Sequence, residues 1–409
     1  MPFTRRMWLV VLLACTSNIA PMSPDLLASQ ASETLALVGV NVIPVDGDGL
    51  EVDQTVVVRD GRVAAIGPAN ITSVPAGARV IEGRGRYLVP GLYDMHVHIR
   101  TADLPAYLRN GVTTVRNMWG YTSLTTTQRS IAAGTLAGPT IISGSPGFDA
   151  PPSQWPAPEL ITDPALADDL VMKQKAAGWS FIKVYTGLSV PVYDAIVVAA
   201  RAHDIPVSGH VPTAVDVRHA LASGQRSIEH LTGYDRVVSA TQRGGTWAWT
   251  DAQGDRYAGL ADATAKAGTW NCPTLAIYAE LSKQHSAADR AIIVRERRAF
   301  VLALEQAGAA LLAGTDAGID VVAPGSSLHD ELEEFVAAGL SPARVLRMAT
   351  LDAARFLGQP DGGRVAVGAR ADLVLLTGNP LTRIGETRNV EGIVLRGAWH
   401  SRAALEALP

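Results

Sequence analysis

The side chains best suited to chemistry in this chain are histidines that end short apolar runs. His96 and His98 close such a run at residues 92–98. Side chains two apart in a β-strand point to the same face, so the two imidazoles would project together. Imidazole nitrogen atoms are standard ligands for zinc and related ions. By itself, however, a His-x-His pair is a weak indication of a metal site.

Three more candidate ligands end other apolar runs. His210 ends the run 206–210, His230 follows the run 226–229, and Asp316 follows the run 310–315. The chain has only 9 histidines, so chance explains poorly why four of them end predicted strands. We predict that these side chains meet in one metal site.

Lys183 is unusual because it lies in an apolar run, between Ile182 and Val184. Burial disfavours the charged form of lysine, lowers its pKa and leaves an amine that can react with carbon dioxide. The resulting carbamate has two oxygen atoms and could bridge two cations. The alternative is a lysine that forms an ion pair with a neighbouring carboxylate.

Eight apolar segments that alternate with helical patterns could position these side chains. The candidate strands are 92–98, 113–116, 140–143, 181–184, 206–210, 226–229, 269–271 and 310–315. Strand–helix alternation predicts an α/β fold with a parallel sheet, and eight repeats predict a (β/α)8 TIM-like barrel over residues 91–357. In such a barrel the active site lies at the C-terminal ends of the strands. A doubly wound open sheet is the alternative.

The two ends of the chain have a different sequence pattern. Residues 34–90 and 358–409 contain short apolar strands, with a strong hairpin turn at Asp60-Gly61. They predict a small β-sandwich domain built from both chain ends, beside the barrel. A length of 409 residues with 47% hydrophobic and 18% charged residues fits this division. The net charge of −4 and the lack of a basic run argue against a nucleic-acid partner.

Residues 1–33 predict an export signal and linker. Arg5 and Arg6 precede the apolar run 7–14, which is too short to cross a bilayer. Residues 12–15, Leu-Leu-Ala-Cys, are similar to a bacterial lipobox, which would make Cys15 a lipid anchor. The alternative is a secretory signal cleaved near Ala20 or Ala28. The protein is therefore predicted to be exported, as a periplasmic, membrane-anchored lipoprotein or as a secreted protein.

The order of these motifs resembles that of the amidohydrolase superfamily over residues 35–400. The resemblance rests on PGLYDMHVH at 90–98, GVTTVR at 111–116, Lys183, His210, His230 and AGTD at 313–316. It is strongest to the imidazolonepropionase-related group, which includes exported dipeptidases that act on Xaa-Pro and similar peptides. Lys183 favours the binuclear subtype with a carboxylated lysine.

The resemblance implies a binuclear metal centre with zinc as the ion. Its six ligands would be His96, His98, Lys183, His210, His230 and Asp316. The first two histidines and Asp316 would hold the buried ion, the other two histidines the exposed one, and the carbamate of Lys183 and a hydroxide would bridge both. Asp316 would take the proton of that hydroxide and pass it to the leaving nitrogen.

The expected reaction is hydrolysis of an amide bond in a small peptide or N-acyl amino acid. Opening of a cyclic amide or lactone is the alternative reaction. A third possibility is that the protein is an inactive exported lipoprotein that serves as a binding protein or scaffold. Tyr185 or Tyr234 could donate to the carbonyl oxygen, and Arg116 could bind a substrate carboxylate. Each of these three has a structural role as its alternative. A homo-oligomer is expected on base rates alone.

Overall fold

The computed structural model describes residues 33–47 and 49–409. The predicted export signal, the lipid anchor at Cys15 and the cleavage sites near Ala20 and Ala28 lie outside the described residues. Within the described part, no helix is long and apolar enough to cross a membrane.

The strands of the described residues are β1 (Leu35–Val42), β2 (Glu51–Arg59), β3 (Arg62–Pro68), β4 (Arg79–Glu82), β5 (Tyr87–Pro90), β6 (Leu92–Val97), β7 (Val112–Asn117), β8 (Thr140–Ser143), β9 (Phe148–Asp149), β10 (Glu159–Leu160), β11 (Ile182–Val184), β12 (Val207–Gly209), β13 (Ser227–Glu229), β14 (Trp270–Cys272), β15 (Leu373–Leu376), β16 (Val390–Leu395) and β17 (Ala398–Ser401).

The α-helices are α1 (Leu104–Arg109), α2 (Leu124–Ala132), α3 (Ala167–Ala176), α4 (Val190–Ala202), α5 (Val217–Ala222), α6 (Tyr234–Val238), α7 (Tyr257–Ala267), α8 (Leu275–Leu281), α9 (Ala287–Gln306), α10 (Ser326–Ala337), α11 (Pro342–Arg347), α12 (Ala353–Phe356) and α13 (Arg402–Glu406).

Strands from both ends of the chain form one eight-stranded sheet, which we call the terminal sheet. Its order is β17-β16-β15-β5-β1-β2-β3, with β4 paired to β1. The predicted turn joins β2 to β3, and both Asp60 and Gly61 have positive φ, as a tight hairpin turn requires. Buried apolar residues of the terminal sheet, such as Leu37 and Leu375, pack into one cluster. The sheet therefore joins residues 35–90 to residues 373–401.

The middle of the chain forms parallel sheets, which confirms the α/β class. One sheet has the order β6-β7-β8, and the other has the order β10-β9-β11-β12-β13-β14. Backbone bonds continue between them, because Ser180 donates to Ser143 and Ser145 donates to Phe181, each at 2.9 Å. Seven of the candidate strands therefore occur as β6, β7, β8, β11, β12, β13 and β14.

The predicted strand at 310–315 is present only as an extended segment with isolated bridges, Asn271 to Leu311 and Val97 to Ala317. It still bonds on both sides, since Leu312 donates to Asn271 (2.8 Å) and Met95 donates to Ala313 (2.9 Å). The regular ladder is interrupted because the N–H groups of both Thr315 and Asp316 point at the carbonyl oxygen of His96. The prediction of a regular strand there is wrong, although the segment lies between β14 and β6.

Candidate metal centre

Three of the predicted ligands meet directly, two of them at the end of β6 and the third just after the extended segment 310–315. Asp316 Oδ1 lies 3.2 Å from His96 Nε2 and 3.1 Å from His98 Nε2. One ligand atom from each residue falls within 4.8 Å of the others, a spacing that suits a shared ion. His96 and Asp316 are buried, and His98 is half-buried. The structure thus brings together residues that are 220 positions apart.

The other two predicted histidines border this group. The His230 ring lies 4.4 Å from the His96 ring, and the His210 ring lies 5.0 Å from the His230 ring. His230 Nε2 is 3.9 Å from Asp316 Oδ2. Asp316 therefore has a carboxylate oxygen facing each side of the cluster.

Lys183 lies on β11, beside β12, which ends one residue before His210. Gly209 on β12 leaves room for it, because an added Cβ would lie 3.1 Å from Lys183 Cδ and 2.2 Å from the carbonyl oxygen of Val184. Burial lowers the pKa of Lys183 to about 8, although the charges of Glu229 and Asp316 oppose the shift. Within the described residues Lys183 makes no ion pair within 4 Å, so the ion-pair alternative is not supported.

Hydrogen bonds at the Nδ1 atom orient three of the imidazole rings. His96 Nδ1 bonds to Glu229 Oε2 at 2.8 Å, His230 Nδ1 to Thr274 Oγ1 at 2.8 Å, and His210 Nδ1 to Thr186 Oγ1 at 3.1 Å. A carboxylate can only accept, so the Nδ1 atom of His96 is the donor of this bond, and its Nε2 atom is the one that faces Asp316. Partners of this kind are typical of metal-binding histidines.

The residues present fit a bound cation. His96 Nε2 and Asp316 Oδ1 are fully buried, and among the described residues neither has a hydrogen-bond partner. Burial lowers the pKa values of His98, His210 and His230, which keeps these imidazoles neutral, the form that binds metal. Burial would raise the pKa of Asp316, but the nearby histidines lower it well below its usual value. The donor set is therefore neutral nitrogen with an ionised carboxylate.

The backbone is strained where these side chains are presented. His230, Thr274 and Asp316 have φ values of 62°, 49° and 62°, which non-glycine residues rarely adopt. Such conformations cost about 1–3 kcal/mol each and are concentrated at functional sites. These conformations occur just after β13, just after β14 and just after the extended segment 310–315, where the side chains join or support the cluster.

Arg116 does not face the opening of this cluster. It is fully buried, and its nitrogen atoms donate to the carbonyl oxygen of Met95 (2.6 Å), to Ser227 Oγ (2.9 Å) and to Glu229 (2.9 Å). Burial would raise the pKa of Glu229, but the charge of Arg116 and the hydrogen bond from His96 lower it. The prediction that Arg116 binds a substrate carboxylate is contradicted by this burial, and the residue instead supports Glu229.

The two predicted tyrosines have different positions. Tyr185 contacts the cluster, since its ring lies 4.3 Å from the His210 ring. Tyr234 is fully buried against Phe300, and its hydroxyl group bonds to Thr264 Oγ1 at 2.8 Å. This burial contradicts the prediction that Tyr234 donates to substrate, whereas the role of Tyr185 stays a prediction.

Several supporting residues were missed from the sequence. Glu229 could have been found, because a carboxylate in a short buried strand is as unusual as Lys183. Thr186, Thr274 and Trp155 lie in loops after strands, where no periodicity distinguishes them. Trp155 stacks on His98 with ring centroids 4.8 Å apart.

Comparison with known proteins agrees with the motifs. The model of the amidohydrolase family matches residues 87–399, so the chain belongs to the amidohydrolase family. Adenine deaminase 2 of Agrobacterium fabrum is 25% identical over 323 residues, 73% of this chain and 46% of that protein. The chain thus spans about half the length of the curated relatives that it matches along most of its own length.

Solved structures share the architecture. Bottromycin amidohydrolase has a TM-score of 0.75 and 26% identity, and the match covers 95% of this chain and 92% of that one. A Xaa-Pro dipeptidase with methionine bound in its active site has a TM-score of 0.73 over 90% of this chain and 100% of that one. At 20% identity, the second likeness shows the fold alone.

Proposed function

We propose that this protein hydrolyses an amide bond in a small peptide or an N-acyl amino acid. The observation that carries the proposal is the meeting of His96, His98 and Asp316 around buried atoms without hydrogen-bond partners. Membership of the amidohydrolase family supports C–N bond hydrolysis as the reaction class.

We propose a (β/α)8 barrel over residues 91–357 as the scaffold, with a β-sandwich formed by residues 34–90 and 358–409. Seven parallel strands and the extended segment that bonds to both β14 and β6 support the barrel. The terminal sheet, which joins the two ends of the chain, supports the second domain. The cluster then lies at the C-terminal ends of the barrel strands, where such folds carry active sites.

The proposed ligands are those predicted from the sequence. His96, His98 and Asp316 would hold one zinc ion, and His210 and His230 the other, with a carbamate on Lys183 between them. When bound, the two ions would lower the pKa of a water molecule and polarise the scissile carbonyl group. The lowered pKa of Lys183 supports carboxylation, since the neutral amine is the reactive form.

The chain itself would manage the proton and the carbonyl oxygen. Asp316 remains ionised near neutral pH and can accept a proton on Oδ1 or Oδ2, then donate it to the leaving nitrogen. Tyr185 can donate its hydroxyl hydrogen to the carbonyl oxygen, because its oxygen already accepts from Trp155 Nε1. Burial raises the pKa of Tyr185, which keeps the hydroxyl group protonated.

Metal analysis and a substrate screen test the proposal together. We expect near two equivalents of zinc per chain, loss of activity on chelation, and turnover of some dipeptides or N-acyl amino acids. Native mass spectrometry should show one extra carbon dioxide that is lost on acidification, and Lys183→Met should lack it. If the zinc-loaded protein turns over no dipeptide and no N-acyl amino acid in the screen, the proposed substrate class is rejected. Turnover of cyclic amides or lactones instead would favour the alternative.

A further inference from the structure

Three aromatic side chains line one side of the candidate metal centre, and we call Trp119, Trp155 and Tyr185 the aromatic wall. The Trp155 ring is nearly parallel to the His98 ring, with centroids 4.8 Å apart and 12° between the planes. The Trp119 ring lies 6.0 Å from Trp155 and 5.4 Å from Tyr185. Tyr185 in turn contacts His210. The aromatic wall therefore runs from one candidate ligand to another.

The polar atoms of the two indoles are already engaged. Trp155 Nε1 donates to the hydroxyl oxygen of Tyr185 at 2.6 Å, and Trp119 Nε1 donates to the carbonyl oxygen of Pro156 at 3.0 Å. What Trp155, the half-buried one of the two tryptophans, can still offer a ligand is ring surface. Ring surface binds aromatic and other flat apolar groups through burial and stacking.

The wall combines a fixed part with an accessible part. Trp119 is buried and packs so closely on Gly147 that an added Cβ would lie 2.1 Å from its ring. Trp155 is half-buried and lies in the connection between β9 and β10. Its ring is thus held by Tyr185 and His98 but keeps part of its surface exposed.

We propose that Trp155 is a specificity-determining residue whose ring binds an aromatic group of the substrate next to the scissile bond. The proposal rests on the proposed function, because the subsite is defined relative to the candidate metal centre. Ring faces also attract cations, so a cationic side chain is the competing ligand class.

A binding experiment that needs no turnover tests this subsite. Isothermal titration of the zinc-loaded full chain would compare hydrocinnamate, propionate and γ-aminobutyrate, three carboxylates that differ in the attached group. We expect hydrocinnamate to bind at least about tenfold more tightly than propionate, because the added phenyl ring gains the free energy of an aromatic contact. No preference for hydrocinnamate, or a preference for γ-aminobutyrate, would overturn the proposal.

Three variants assign the effect to the wall. Trp155→Ala should remove most of the preference for hydrocinnamate, and Trp155→Phe should restore part of it. Trp399→Ala is the matched control, because Trp399 lies on β17 of the terminal sheet and packs on Gly392 there. Thermal unfolding of each variant identifies a loss of fold. An unchanged preference in folded Trp155→Ala protein would contradict the assignment.

Turnover separates this proposal from the proposed function. The kcat/KM ratio of phenylalanyl-alanine or alanyl-phenylalanine to alanyl-alanine should fall about tenfold in Trp155→Ala, through KM more than kcat. An unchanged ratio in active protein would reject the subsite while leaving amide hydrolysis intact. If no peptide is cleaved but hydrocinnamate binding still depends on Trp155, the proposed function fails and the aromatic subsite stands.

Discussion

The terminal sheet and the candidate metal centre bury different kinds of side chain. In the terminal sheet the buried cluster consists of residues such as Leu35, Val56 and Leu375. At the metal centre the fully buried side chains include Arg116, Lys183 and Glu229. Burial of apolar surface stabilises a fold, whereas burial of a charge costs free energy unless the charge is paired.

This difference indicates which region serves stability and which serves chemistry. The sheet should respond to substitutions through the free energy of unfolding, with little effect on catalysis. The metal centre should respond mainly through activity, except where a buried charge depends on a partner. Four substitutions test this comparison.

The largest effect is expected from Asp316→Asn, which removes the proposed proton acceptor but keeps the shape of the side chain. On the best substrate of the screen, kcat should fall by about 100-fold to 10,000-fold. The variant should remain folded because the shape of the side chain is kept, although the free energy of unfolding should fall, since the nearby histidines favour the charge that is removed. Steady-state kinetics and denaturant unfolding measure both quantities. A kcat near that of the wild type would remove Asp316 from this role.

Glu229→Gln should affect both stability and the metal centre, because it leaves Arg116 buried without its ionised partner. We expect a loss of about 3–5 kcal/mol in the free energy of unfolding, together with weaker zinc binding through His96. Glu406→Gln is the control, since its ion pair with Arg402 is exposed and should be worth about 0.5 kcal/mol. Equal losses in the two variants would show that the buried network is not important for stability.

Leu375→Ala tests the other side of the comparison. The side chain is 1% exposed in the middle of the terminal sheet. Its truncation should lower the free energy of unfolding by about 2–5 kcal/mol. The kcat of the folded fraction should stay within about twofold of the wild type, because additivity holds for distant sites. A large fall in kcat with preserved stability would contradict the separation of roles.

The smallest effect is expected from Lys183, on the change in the free energy of unfolding per pH unit. This prediction applies to the metal-free protein depleted of carbon dioxide. Burial lowers its pKa from 10.5 to about 8, so between these values the unfolded chain binds more protons than the folded chain. The free energy of unfolding should therefore rise with pH over this window, by up to about 1.4 kcal/mol per unit. Lys183→Met should lack this rise in parallel denaturant titrations. Identical slopes would indicate that Lys183 is not buried as described.

The sequence alone determined the chemistry of the candidate ligands and most of the supporting strands. Apolar runs report burial directly, which is why His96, His210 and His230 could be placed at strand ends and Lys183 within a strand. It also indicated the α/β class, since strand–helix alternation depends on local pattern alone.

Only the tertiary structure decided which side chains meet. Arg116 was a candidate for substrate binding until the neighbouring strands placed it beneath Glu229, and Tyr234 turned towards Phe300. Trp155 reaches His98 across 57 positions of chain from a segment without periodicity. Contacts of this kind depend on register and on how the sheets associate, and a local pattern carries no information about either.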